Sequence, residues 1–199
     1  MDISGNVAHT VTFFQGAFTI VLALSLGEAL KAFVAEDDVR PIHWDRTPAF
    51  MSFLLIFFPF FQSMSQYLYL TYLNAATAPK FYPGFLVFDG ILFTLESACF
   101  FVMSRALGPR HWRRFYTAVL LLMAIDIVWS GVTYSRGIHV GAWIWIDLGI
   151  AAVLGAVLFI ERDRHATAQA ARRATLLCLA TMVVSTGLSY WLEREIYFP

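Results

Sequence analysis

The chain has 199 residues, 59% of them apolar and only 14% charged, with a mean hydropathy of +0.64. A soluble domain carries about 25% charged residues, so a shortage this deep excludes a water-facing surface over most of the molecule. The net charge of zero leaves no basic patch for nucleic acid, and both cysteines, Cys99 and Cys178, fall in apolar segments as reduced packing residues.

A bilayer core of about 30 Å takes roughly 20 apolar residues in a helix. Six stretches reach that length, so an all-α, polytopic six-helix bundle forming a single transmembrane domain over 1–199 is expected. The first stretch, Val11 to Phe33, follows MDISGNVAHT, which lacks the basic residues of a secretory signal, so it is expected to stay as a span. Gln15 shares a face with Thr12 and Thr19 there, and Glu28 stands three residues before Lys31, a pair expected to reach the interface together. The connection that follows holds the acidic run Glu36-Asp37-Asp38, read as a solvated loop.

The second span, Pro48 to Leu73, carries Gln62 and Gln66, and its Pro59 predicts a kink with a freed carbonyl that lines a cavity. The third, Phe81 to Met103, sets Asp89 and Glu96 two turns apart on one face, with Phe93 nearby. The fourth, Phe115 to Tyr134, places Asp126 and Ser130 on one face with Thr133. In the fifth, Val140 to Ile160, Asp147 precedes the small residues Gly149, Ala151, Ala152, Gly155 and Ala156. These permit close helix contact, either inside the subunit or across a homo-oligomer. The sixth, Ala174 to Leu192, bears a stripe of Cys178, Thr181, Ser185 and Ser189.

The first, third and fifth connections hold eleven of the 14 Lys and Arg residues. Basic residues stay on the cytoplasmic side, so both termini are expected outside. Trp143, Trp145 and Trp191 near outer ends, and Trp44 and Trp112 near inner ones, are expected in interfacial belts. A pattern of hydroxyl, two variable residues, polar residue and Tyr recurs at Ser63–Tyr67, Ser130–Tyr134 and Thr186–Tyr190. It suggests three pseudo-repeated helical hairpins. The Pro-x-Asp/Glu motif of the three-hairpin mitochondrial carriers is absent.

Ionisable groups at membrane depth carry the functional signal, because each costs about 2.5–3.5 kcal/mol or more to insert. Asp89, Glu96, Asp126 and Asp147 lie well inside their spans, and no span offers a basic partner. Such acids must be protonated, hydrated or matched by a cation. Asp89, Asp126 and Asp147 are expected to form an outer vestibule and Glu96 a central gate, with Gln15, Gln62, Gln66 and Ser130 adding polar contacts.

The five histidines sit at span ends or in loops, which argues against haem within the bundle and a zinc hydrolase. No cofactor or metal is implied. Asp126 and Asp147 raise the idea of an intramembrane aspartyl dyad, but the Gly-x-Gly-Asp pattern usual in that class is missing. The leading expectation is a channel or transporter for a cation, for protons, or for a small proton-coupled solute, working among membrane lipids. The alternatives are a membrane subunit or sensor acting with a partner protein, and a lipid-modifying membrane enzyme. Short loops and small size point to a bacterial inner membrane.

Overall fold

A computed structural model describes residues 3–34, 41–73, 83–138, 140–161 and 168–198. The helices among them are α1 (Ile3–Phe33), α2 (Thr47–Leu68), α3 (Pro83–Ser104), α4 (Trp112–Ser135), α5 (Gly141–Ile160), α6 (Ala168–Leu192) and the short α7 (Arg194–Tyr197). A π turn, Tyr69–Leu73, continues α2. The described residues form no strand beyond one isolated bridge between Val34 and Ile42. Helices α1 to α6 are each long and apolar enough to cross a membrane. In hydrocarbon a backbone must satisfy its own polar groups, which a helix does within one segment. The fourth span begins at Pro109, earlier than the expected Phe115, and residues 81–82, the expected start of the third, lie outside the described residues.

Neighbours in sequence are not always neighbours in space. Helix α4 packs against α3 and α5, while α1 lies chiefly on α3 and α6 on α2 and α5. Helix α1 touches the bundle through one stripe, Val11, Phe18, Leu22, Ser25 and Ala29, at helical spacing. A tight approach of α1 to α3 falls at Gly90, where a Cβ would sit 3.2 Å from the ring of Phe14. Stacked and edge-on Phe rings fill the middle of the bundle: Phe53, Phe57 and Phe60 of α2 against Phe93 and Phe100 of α3.

Helix ends are held by side chains. Arg46 donates to the carbonyl of Ala32 near the end of α1, and Arg113 to that of Glu161 at the end of α5. Helix α4 stops in a Schellman turn. There Gly137 adopts φ +83°, its N–H bonds the Tyr134 carbonyl at 2.9 Å, and that of Ile138 bonds Thr133 at 3.4 Å.

Several expectations change here. Trp145, Trp191 and Trp44 are exposed as belts require, but Trp143 and Trp112 turn inward and are buried. Each occupies the core-facing side of its helix, where packing outweighs an interfacial place. Glu28 and Lys31 are both exposed and form no ion pair. Gly149, Ala152 and Ala156 point outward from α5, whose buried face is Trp143, Asp147, Ile150, Leu154 and Val157. Cys99 and Cys178 are buried free thiols. The acidic run 36–38, Lys80 and His139 lie outside the described residues.

Candidate functional site

Two polar centres are built into the half of the bundle nearer the end of α6. The first is closed around Asp89. Tyr67 and Tyr72 both donate to its Oδ2, at 2.8 and 2.5 Å, and Trp129 Nε1 donates to Oδ1 at 3.2 Å. In an α-helix, residues five apart diverge by about 140°. The π turn at the end of α2, closing i to i+5, brings both tyrosines to one acceptor. Arg136 completes the set, its guanidinium 3.7 Å from Asp89 Oδ1 and 3.6 Å above the ring of Phe85.

This corrects the expectation that all four intramembrane acids lack a basic partner. Arg136 follows α4 by one residue, and the Schellman turn lets its side chain fold back onto α3. Asp89 therefore joins α2, α3 and α4 as a satisfied network.

The second centre is a cavity of about 80 Å³ between α2, α4, α5 and α6. Asp126 of α4 and Asp147 of α5 both line it, their carboxyl groups within electrostatic reach of each other. Two neighbouring carboxyls in a water-poor site favour holding one proton between them. Asp126 opens onto the cavity and is half-buried, whereas Asp147 is 6% exposed and its Oδ2 has no hydrogen-bond partner. Trp143, also on the cavity wall, has an unpartnered indole N–H. No basic group lies within ion-pair distance of Asp126, Asp147 or Glu96 among the described residues.

Glu96 lies within electrostatic reach of Asp126 and Asp147. It is fully buried, does not line the cavity, and neither of its oxygens has a partner. No group of three His, Cys, Asp or Glu side chains among the described residues is placed to hold a metal ion.

Pro59, inside α2, contributes as its chemistry requires. Proline leaves the Leu55 carbonyl without its intrahelical donor, and Thr186 of α6 supplies one at 2.9 Å. The cavity wall runs past this junction: Leu55, Pro59 and Thr186 all line it.

Tyr197 of α7 is on the cavity wall. Its backbone carbonyl accepts from Gln62 Nε2 at 2.5 Å, and Tyr190 donates to Gln62 Oε1 at 3.3 Å. Burial, reinforced by Tyr190 and the two aspartates, pushes the Tyr197 phenol above its ordinary range, so it stays a neutral donor.

The remaining expected residues are scattered. Ser130 is buried with its hydroxyl unpartnered, one turn beyond Asp126 and off the cavity wall. Gln66 and Gln15 are half-buried, and neither reaches the cavity. Sequence reasoning missed Trp129, Trp143, Tyr197 and Arg136. Of these only Trp143 had a reading as a belt residue, and it is the packing that turns all four inward.

The fold and the two centres define a polytopic helical membrane protein with a carboxyl-lined internal cavity. Comparison with protein-family models, curated proteins and solved structures finds no match, so geometry alone carries the functional reading.

Proposed function

We propose that this chain is a membrane transport protein, moving protons, a cation or a small proton-coupled solute through the Asp126–Asp147 pair. The supporting observation is the pair itself: two neighbouring carboxyls on a cavity between spanning helices, with no base beside them among the described residues. A pair that holds one proton releases or gains one at small cost when a cation arrives or leaves. Glu96, buried behind it without partners, is the next proton station toward the other side. Asp89 holds the bundle together and stands off the path. Both termini face outward in this reading, with the arginine-rich connections in the cytoplasm, and the membrane is a bacterial inner membrane.

The test is flux into proteoliposomes under a pH gradient and a membrane potential. Wild-type protein should move protons, and Asp147→Asn and Glu96→Gln should each lose most of that flux while keeping a folded, monodisperse profile. Full flux in both variants would remove these carboxyls from the path.

The same pair favours a second reading, hydrolysis of a membrane peptide by an aspartate dyad. A cavity of about 80 Å³ is too small for an extended polypeptide. Loss of flux in the variants, with no cleavage of helical membrane peptides by the wild type, separates the two.

A further inference from the structure

We propose that the cavity binds a small organic ammonium or guanidinium ion, its N–H groups on Asp147 and its carbon framework against aromatic walls, in competition with a proton on the Asp126–Asp147 pair. This rests on the transport reading and names its substrate class.

Charge comes first. With one shared proton the pair carries a single negative charge, and the nearby arginine, Arg136, is held by Asp89. One monovalent cation neutralises the site. Asp147 lines the cavity on a side chain almost wholly buried, and one of its oxygens has no hydrogen-bond partner, so the site has acceptor capacity to spare.

The lining then separates an organic cation from an inorganic one. Hard metal ions need about six or more oxygen ligands. Much of the wall here is Met, Ile, Leu and aromatic rings. Trp129, Trp143, Phe93 and Tyr197 present π systems, which attract a cation and pack against its carbons. The volume sets the size. At about 80 Å³ the cavity is roughly half an apolar cavity of about 150 Å³ that takes benzene. Ligands of about three or four heavy atoms therefore fit.

Competition follows from the same count. The singly charged pair accepts either a second proton or one organic cation. Where the pair is doubly protonated, binding releases one proton: the neutral pair plus the cation gives the singly protonated pair with the cation bound, plus H⁺. This is the elementary step of cation–proton exchange.

The experiment uses full-length protein in nanodiscs, with tryptophan fluorescence read during titration with methylammonium and guanidinium, and with sodium and ethanol at matched concentration. Saturable changes are expected for the organic cations alone. Affinity should weaken about tenfold per pH unit as the pair takes its second proton. Asp147→Asn should weaken binding about tenfold or more, and Trp143→Leu several-fold. A pH dye in weak buffer gives a readout that needs no variant, since guanidinium should release protons from wild-type protein on binding.

No saturable response, or an equal one to sodium, overturns the proposal. Organic-cation binding without proteoliposome flux upholds this site and removes the transport reading. Proton flux without organic-cation binding removes this site and leaves transport standing.

Discussion

Asp89 and Asp147 show how one residue type is handled in two ways at membrane depth. Asp89 accepts from Tyr67, Tyr72 and Trp129 and has Arg136 at 3.7 Å, so its charge is matched. Asp147 has another acid beside it and one unpartnered oxygen. The first arrangement suits a joint, and the second suits exchange. A test of the joint follows from the cost of an unmatched buried charge. Arg136→Met should destabilise the protein by about 2–4 kcal/mol, because Asp89 is left without its counter-ion. The double variant Asp89→Asn, Arg136→Met should recover part of that loss, since no unpaired charge remains. Thermal unfolding in detergent measures both, and equal loss in the single and double variants would mean that the ion pair is not what joins these helices. The acids themselves were legible in the sequence, because a charge inside an apolar run is conspicuous. Their partners were not. Arg136 sits in a connection, and only the turn at Gly137, with φ +83°, returns it to the helix.

Among the elements, α2 carries the most local irregularity. Its length and apolar character were readable directly, as were the other five spans, because the bilayer permits few alternatives to a helix. The freed carbonyl at Pro59 was equally readable, since the lost N–H is a covalent fact. What capped the freed carbonyl was hidden, because Thr186 lies more than a hundred residues away on α6 and pairs through tertiary packing. The pairing gives a two-variant test. Thr186→Val leaves the Leu55 carbonyl without a donor and should cost about 1–3 kcal/mol. In a Pro59→Ala background the restored backbone N–H reaches that carbonyl, so the same Thr186→Val change should cost much less. Equal costs in both backgrounds, read from unfolding midpoints, would show that Thr186 acts through packing instead. The π turn at 69–73 had no sequence signal, and it is this turn that sets Tyr67 and Tyr72 on one carboxylate.

At the scale of the whole molecule, the cavity lies between α2, α4, α5 and α6, with Phe93 of α3 and Tyr197 of α7 also on its wall. We predict that Tyr197 acts as a lid: it is buried, its carbonyl is held by Gln62, and its ring packs 4.4 Å from Tyr190 and 6.3 Å from Trp143. A lid held by one amide and two ring contacts should open at a lower cost than the helices behind it. Access can be read with a cysteine at Ser185, a cavity-lining position, after Cys99 and Cys178 are replaced by alanine. A polar thiol reagent should label that cysteine slowly in the parent and several-fold faster with Tyr197→Ala. Tyr197→Phe should stay close to the parent, because Gln62 grips the backbone carbonyl rather than the phenol. The raised phenol adds a pH test with a definite sign. Burial favours the neutral form, so the ring sits undisturbed below the ordinary tyrosine value of about 10, and ionisation weakens closure as pH rises beyond it. Labelling in the parent should therefore be flat between about pH 6 and 9, once corrected for thiolate fraction, and rise only above that. A rate that climbs steadily from neutral pH would place the control of access on another group, and the carboxyl pair beneath the lid would be the first to examine.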